Sequence, residues 1–252
     1  MHPQIFGIIK SYGLMLAISF GVGMWLCVRR GRPRGIGSET ILDLLFGVLV
    51  SSILGVRLFY VATHLSEFDP WYRALFIWDG GLTLYGGILA AMATVGWMCR
   101  RRRLRFLDVA DIFSPCLALG IGLTRIGCFM AGCCYGKPTA CALGVHFPAD
   151  APATRAWGAS AVHPTQLYAS AAGFAIFGLL LLAEKLPGGR GSTFGRFLVL
   201  YGGARVAEDF FRTYERNQRV AGLSNNQWLS LVLVLAGLVV LWRTRGQEAA
   251  RG

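Results

Sequence analysis

Apolar residues run through this chain in continuous blocks of about twenty, separated by short polar or arginine-rich stretches. No segment of about ten residues shows the strict alternation of a barrel strand. Twenty residues at about 1.5 Å each cross a hydrocarbon core of about 30 Å. A segment in lipid must satisfy its own backbone hydrogen bonds, so continuous blocks predict helices. The pattern predicts seven spans: 5–28, 41–63, 81–99, 109–131, 164–184, 193–211 and 226–242. The fold class is therefore all-α, a polytopic membrane protein. Residues 1–242 are expected to form a single transmembrane domain, and 243–252 a short disordered cytoplasmic tail. The first block is not a cleaved signal peptide: it is too long, and no small-residue cleavage site precedes Arg29 and Arg30.

Composition agrees with this class. Hydrophobic residues make up 54% of the chain and charged residues 15%, against about 25% in soluble domains. The net charge of +12 would suit a nucleic-acid binder, but its placement argues against one. Arginines cluster at 29–34, 100–105 and 243–245, with Lys185 and Arg190 between spans five and six. The alternate loops are poorer in basic residues. Cytoplasmic loops carry the lysine and arginine excess. This predicts an outer N-terminus and outer loops 64–80, 132–163 and 212–225, with no nucleic-acid partner. Trp71, Trp78 and Trp157 fit an interfacial aromatic belt.

Charged residues interrupt the apolar blocks, among them Arg57, Arg125, Arg205 and Asp209. An arginine at mid-membrane costs about 2.5–3.5 kcal/mol on insertion scales, and such residues normally face a bundle interior or a wet cavity. Arg205 and Asp209 stand one helical turn apart and can pair with each other. Arg57 and Arg125 have no acid within a turn, so each needs a partner from another helix or an anionic ligand. A phospholipid phosphate suits the planar guanidinium fork. Paired glycines, among them Gly86 and Gly87, and Gly202 and Gly203, allow close helix approach or line a cavity.

Several stretches, in order, resemble the prolipoprotein diacylglyceryl transferase family: SYGLMLAISF (11–20), GVRLFYV (55–61), DGGLTLYGGILA (79–90), TRIGCFMAGCCYGKPT (124–139), HPTQLYAS (163–170), LYGGARVAEDFFR (200–212) and LSNNQWLS (223–230). The resemblance runs nearly end to end. Tyr12 and Gly13 match the family's essential tyrosine region. Arg57, Arg125, Gly127, Gly136, Arg205 and Arg212 stand where the family has the same residue, and Asp209 where it has glutamate. Tyr85, Cys128 and Cys133 replace a histidine, an asparagine and a glutamate. The resemblance implies a seven-span inner-membrane enzyme that moves a diacylglyceryl group from phosphatidylglycerol to the thiol of a lipobox cysteine. It also implies Tyr12, Tyr85, Arg125, Cys128, Cys133, Arg205 and Asp209 as catalytic candidates. Arg57, Gly86, Gly87, Gly127, Gly136 and Arg212 are implied as substrate contacts.

The cysteines keep other possibilities open. Arg125 and Cys128 share a helix face, and a thiolate beside arginine is a reactive one. A cysteine-dependent lipid or acyl transferase with another donor or acceptor fits that pair, and so does a lipid-binding protein without catalysis. A disulfide from Cys133 or Cys134 to Cys141 is a further possibility. No metal or cofactor is expected, because C-x4-C-C lacks the C-x2-C spacing of common zinc sites and adjacent cysteines rarely hold one ion. Asp209 or Tyr85 is the expected base. His163, beside Pro164, is expected to face solvent as a helix-start residue. His146 is a weaker candidate, in a loop expected to cover the cavity.

Overall fold

The structure is a computed structural model that describes residues 4–5, 9–65, 84–213 and 219–249. Each of the seven apolar blocks forms a long helix: α1 Ser11–Gly31, α2 Ser38–Thr63, α3 Leu84–Arg101, α4 Phe106–Met130, α6 Thr165–Ala183, α7 Ser192–Asp209 and α8 Asn225–Ala249. A short helix, α5 (Pro152–Trp157), lies in the loop between α4 and α6. A 3-10 turn (Arg32–Arg34) follows α1, and two antiparallel ribbons complete the described elements, β1 (Gln4–Ile5) with β2 (Ile9–Lys10), and β3 (Arg219–Val220) with β4 (Leu223–Ser224). Among the described residues, five helices are long and apolar enough to cross a membrane: α1, α2, α4, α6 and α8. The chain is an all-α, multi-pass membrane protein.

Two expectations change at the ends. The first helix begins at Ser11 rather than at residue 5, because the β1–β2 ribbon takes up the start of the apolar run. The stretch after Arg243, read as a disordered tail, continues α8 to Ala249, since nothing in its sequence breaks a helix before Gly252 except Gly246. Loop 64–80 beyond Leu65, with Trp71, Trp78, Gly80 and Gly81, lies outside the described residues.

The chain divides into two compact units, Val28–Val109 and Met1–Cys27 with Ala110–Gly252. In the smaller unit, α2 and α3 cross with backbones almost touching. A Cβ on Gly86 would lie 2.2 Å from the Gly55 carbonyl oxygen and 2.3 Å from the Phe59 Cβ. Gly86 is thus required by packing. The approach at Gly87 is less extreme but still tight, since a Cβ there would meet the Ser52 oxygen at 3.3 Å. Arg102 pairs with Asp43 at one end of this unit and donates to Thr40 Oγ1 at 3.3 Å. We expect Gly86→Ala to cost about 1–3 kcal/mol by overpacking. Gly96→Ala, with no atom within 4 Å of the new carbon, is expected to gain up to about 1 kcal/mol of helix propensity. Thermal unfolding in detergent checks both, and equal effects would refute the packing account.

In the larger unit, Ala118, Ile176, Leu180, Phe197 and Leu198 form a buried core where α4, α6 and α7 meet. Small residues set the spacing again. Gly173 sits where a Cβ would be 2.7 Å from the Gly122 nitrogen, and Gly195 and Gly237 face each other across α7 and α8. The N-terminus of α7 is held from a distance. Asp111 accepts the Gly191 N–H at 2.7 Å and the Phe194 N–H at 2.8 Å, satisfying two otherwise unpaired donors at the positive end of the helix dipole. Exposed apolar side chains such as Leu117, Leu182, Leu235 and Trp242 face outward from these helices, as lipid contact requires.

Candidate active site

The site lies within the larger unit, around the C-terminal ends of α4 and α7. A cavity of about 520 Å³ opens there, walled mainly by apolar side chains of α4, α6 and α7, with Arg125, His163, Tyr168, Arg205 and Glu208 among its lining groups. Cys141 and Leu143 from the loop after α4 also line it, so that loop does border the cavity as expected.

The two arginines have opposite surroundings. Arg205 is 14% exposed and faces Glu208 Oε2 at 3.3 Å and Asp209 Oδ1 at 3.4 Å on its own helix. The helical spacing of the sequence anticipates the second contact, and Glu208 adds the first. Glu208 also faces Arg212 through its other oxygen, at 3.4 Å. Arg125 is half-buried, and among the described residues it makes no ion pair and no hydrogen bond. Glu208, Cys128, Cys134 and Tyr201 lie within its electrostatic reach.

Asp209, a candidate base, is engaged at both carboxylate oxygens. Its Oδ2 accepts the Ser224 hydroxyl while Oδ1 faces Arg205. Ser224 in turn caps α8: its N–H donates to Gln227 Oε1 at 2.9 Å and its Oγ accepts the Gln227 N–H at 3.1 Å. That reciprocal pair is a capping box. Asp209 therefore ties α7 to the start of α8.

The loop after α4 is pinned by its backbone. Lys137 N–H donates to the Phe211 oxygen at 2.8 Å, and His163 N–H donates to the Lys137 oxygen at 2.9 Å. Gly136 runs so close to this junction that a Cβ would lie 2.5 Å from the Phe211 oxygen. Gly127 plays the same part inside the membrane, where a Cβ would be 2.8 Å from Met15 Cβ on α1. Both glycines, proposed as substrate contacts, have packing roles. The close approach at Gly127 brings Tyr12, 41% exposed, to the end of α4.

His163 corrects its expectation. It is half-buried, lines the cavity, and its Nδ1 lies 3.2 Å from the Tyr168 hydroxyl, with Phe211 packed edge-on at 5.0 Å. His146 instead bonds the Ala159 oxygen at 2.9 Å on the exposed side of the loop and does not line the cavity. Arg57 is buried on α2, and Tyr85 stands exposed in the first turn of α3, both in the smaller unit.

All seven cysteines are unbridged, Cys141 included. The sulfurs of Cys128, Cys133 and Cys134 lie within 4.8 Å of one another, a convergence the spacing did not announce. Hydrogen bonds to Cys128 and Cys133, and then the charges of Arg125 and Arg212, push the Cys134 thiol down; hydrogen bonds to Cys128 and Cys134 push Cys133 up.

Comparison with known proteins decides the family. The profile described as prolipoprotein diacylglyceryl transferase matches residues 4–243. The chain belongs to the prolipoprotein diacylglyceryl transferase family. Members named phosphatidylglycerol–prolipoprotein diacylglyceryl transferase match it along nearly their full length. The protein of Pseudoalteromonas atlantica is 34% identical over 268 residues, 99% of this chain and 92% of the relative. That of Clostridium tetani is 31% identical over 240 residues, 94% of each. That of Pectobacterium atrosepticum is 34% identical over 277 residues, 98% of this chain and 95% of the relative. Within this diacylglyceryl transferase frame, sequence reasoning missed Glu208 as the acid shared by Arg205 and Arg212. The adjacent acid pair one turn after Arg205 was the available signal. It also ranked His163 too low, because only the loop hydrogen bonds turn that ring toward the cavity.

Proposed function

We propose that this chain transfers a diacylglyceryl group from phosphatidylglycerol to the cysteine thiol of a prolipoprotein, in the bacterial inner membrane. Family membership supports the reaction, and the observation that carries the site is Arg125: a half-buried guanidinium without a carboxylate partner among the described residues, at the wall of an apolar cavity of about 520 Å³. Such a charge is costly in lipid unless an anion meets it, and the donor's phosphate is that anion. The acyl chains follow the apolar wall. The acceptor sulfur attacks the glyceryl carbon, a carbon–sulfur bond forms, and the carbon–oxygen bond to phosphate breaks. Glycerol phosphate leaves with the electron pair. Arg125 stabilises both the entering thiolate and the departing phosphate, the electrostatic contribution that is usually largest. The thiol proton goes to His163, whose imidazole lines the cavity within reach of a bound thiol and suits a general base. Arg205, Glu208, Asp209 and Arg212 form a charged strut that fixes the wall. Tyr12, beside the end of α4, is a further catalytic candidate.

The same reading places seven spans in the membrane with the N-terminus outside, supported by the arginine-rich clusters at 29–34, 100–105 and 243–245. Loops 64–80, 132–163 and 212–225 then meet the lipobox peptide at the outer face.

The test uses purified full chain, phosphatidylglycerol vesicles and a lipobox peptide, with release of glycerol phosphate and peptide mass as readouts. Equal release of glycerol phosphate and lipidated peptide is expected. A lipid attached to Cys128, Cys133 or Cys134 without passage to the peptide would favour the cysteine-dependent transferase. Phospholipid binding with no turnover would leave a lipid-binding protein.

A further inference from the structure

Three sulfurs from one short segment converge at the end of α4. Cys128 occupies the last turn of the helix and is 6% exposed, while Cys133 and Cys134 follow in the half-buried turn after it. Neighbouring side chains on an extended backbone point to opposite faces, which is why adjacent cysteines seldom share a ligand. Here Cys134 adopts φ +60°. That left-handed conformation is unfavourable for a non-glycine residue, and it turns the second sulfur back toward the first. Strain of this kind persists where surrounding structure holds it, and it collects at functional positions.

The surroundings do hold it. Two fully buried side chains at the start of α6 grip the two carbonyls: Gln166 Nε2 donates to the Cys133 oxygen at 2.6 Å, and Thr165 Oγ1 donates to the Cys134 oxygen at 2.7 Å. Cys133 N–H closes the turn onto the Cys128 oxygen at 3.2 Å. The three sulfurs thus sit on a backbone fixed at each ligand-bearing position.

We propose that Cys128, Cys133 and Cys134 form a site for one thiophilic cation of the zinc class. A zinc–sulfur bond is about 2.3 Å, so sulfurs at three corners of a tetrahedron stand about 3.8 Å apart. The observed sulfurs, within 4.8 Å of one another, reach that geometry by side-chain rotation over about 1 Å. Thiolates select such soft ions over magnesium or calcium. A divalent ion on three thiolates leaves one net negative charge, and Arg125 lies within electrostatic reach of Cys128 and Cys134. The ion leaves a fourth position open and clamps the last turn of α4, three residues beyond Arg125, to the loop that borders the cavity. This site is independent of the transfer reaction proposed above.

The experiment uses reduced, metal-free full chain in detergent, titrated with Cd²⁺ and with Zn²⁺. Thiolate-to-cadmium absorption in the ultraviolet and native mass spectrometry report uptake, and N-ethylmaleimide labelling maps the occupied thiols. One ion per chain is expected, protecting Cys128, Cys133 and Cys134 while the exposed Cys141 still reacts. Cys128→Ser, Cys133→Ser and Cys134→Ser each weaken uptake on the order of a hundredfold, the upper end of what losing even a supporting partner costs. Cys99→Ser leaves it unchanged. Protection is read on the parent protein, so it stands even where a variant fails to fold. Uptake without protection of these three thiols overturns the proposal. So does a disulfide among them that takes up no ion once reduced.

Discussion

Replacing Arg125 with alanine is expected to slow glycerol phosphate release by on the order of 10²–10³-fold, the usual cost of removing one preorganised donor to developing charge. The reason is the contrast between the two cavity arginines. Arg205 already has Glu208 and Asp209 at 3.3 and 3.4 Å, so its charge is largely spent on structure. Arg125 has no carboxylate partner among the described residues, so its charge is available to substrate. Arg125→Lys keeps the charge and loses the planar fork, and recovers only part of the rate. Because no intramolecular pair is broken, both variants should unfold at the temperature of the parent. Steady-state release from phosphatidylglycerol vesicles, with thermal unfolding in parallel, measures the two effects separately. Parental turnover in Arg125→Ala would remove the phosphate-holding role.

Asp209→Ala should act in the opposite way, through stability. The carboxylate is almost fully buried and joins two elements, Arg205 on α7 and Ser224 at the start of α8. Removing one partner of a buried pair costs about 3–5 kcal/mol, and the lower end applies because Glu208 still faces Arg205. Ser224→Ala, which removes an N-cap, should cost about 1 kcal/mol. The two losses should not add, since each variant breaks the same contact. Denaturation of the single and double variants in detergent gives the coupling directly. A simple sum would mean that the Asp209–Ser224 hydrogen bond contributes nothing.

Much of this was legible in the sequence. Blocks of apolar residues long enough to cross lipid became long helices because hydrocarbon imposes both length and internal hydrogen bonding. The Arg205–Asp209 contact was legible because it is local, one turn along a helix. What was not legible depended on backbone conformation or distant contacts. The β1–β2 ribbon consumed residues that hydropathy alone assigns to a helix. Cys134 entered the left-handed region, and three thiols that looked divergent came together. His163 faced the cavity because Lys137 and Phe211 determine its backbone position. Asp111 caps a helix eighty residues later in the chain, a contact that no local pattern announces.

Lys137 binds Phe211 through its N–H and His163 through its carbonyl, and its ammonium reaches the Phe210 oxygen at 3.0 Å. One residue therefore rivets the start of α6 to the end of α7. Any tilt of α7 that widens the chamber drags the imidazole along with Arg205 and Glu208, so the charged side of the chamber shifts as a block. Room for a bulky lipid must then come from the greasy side, where α6 and α4 present side chains that can change rotamer without disturbing a polar contact.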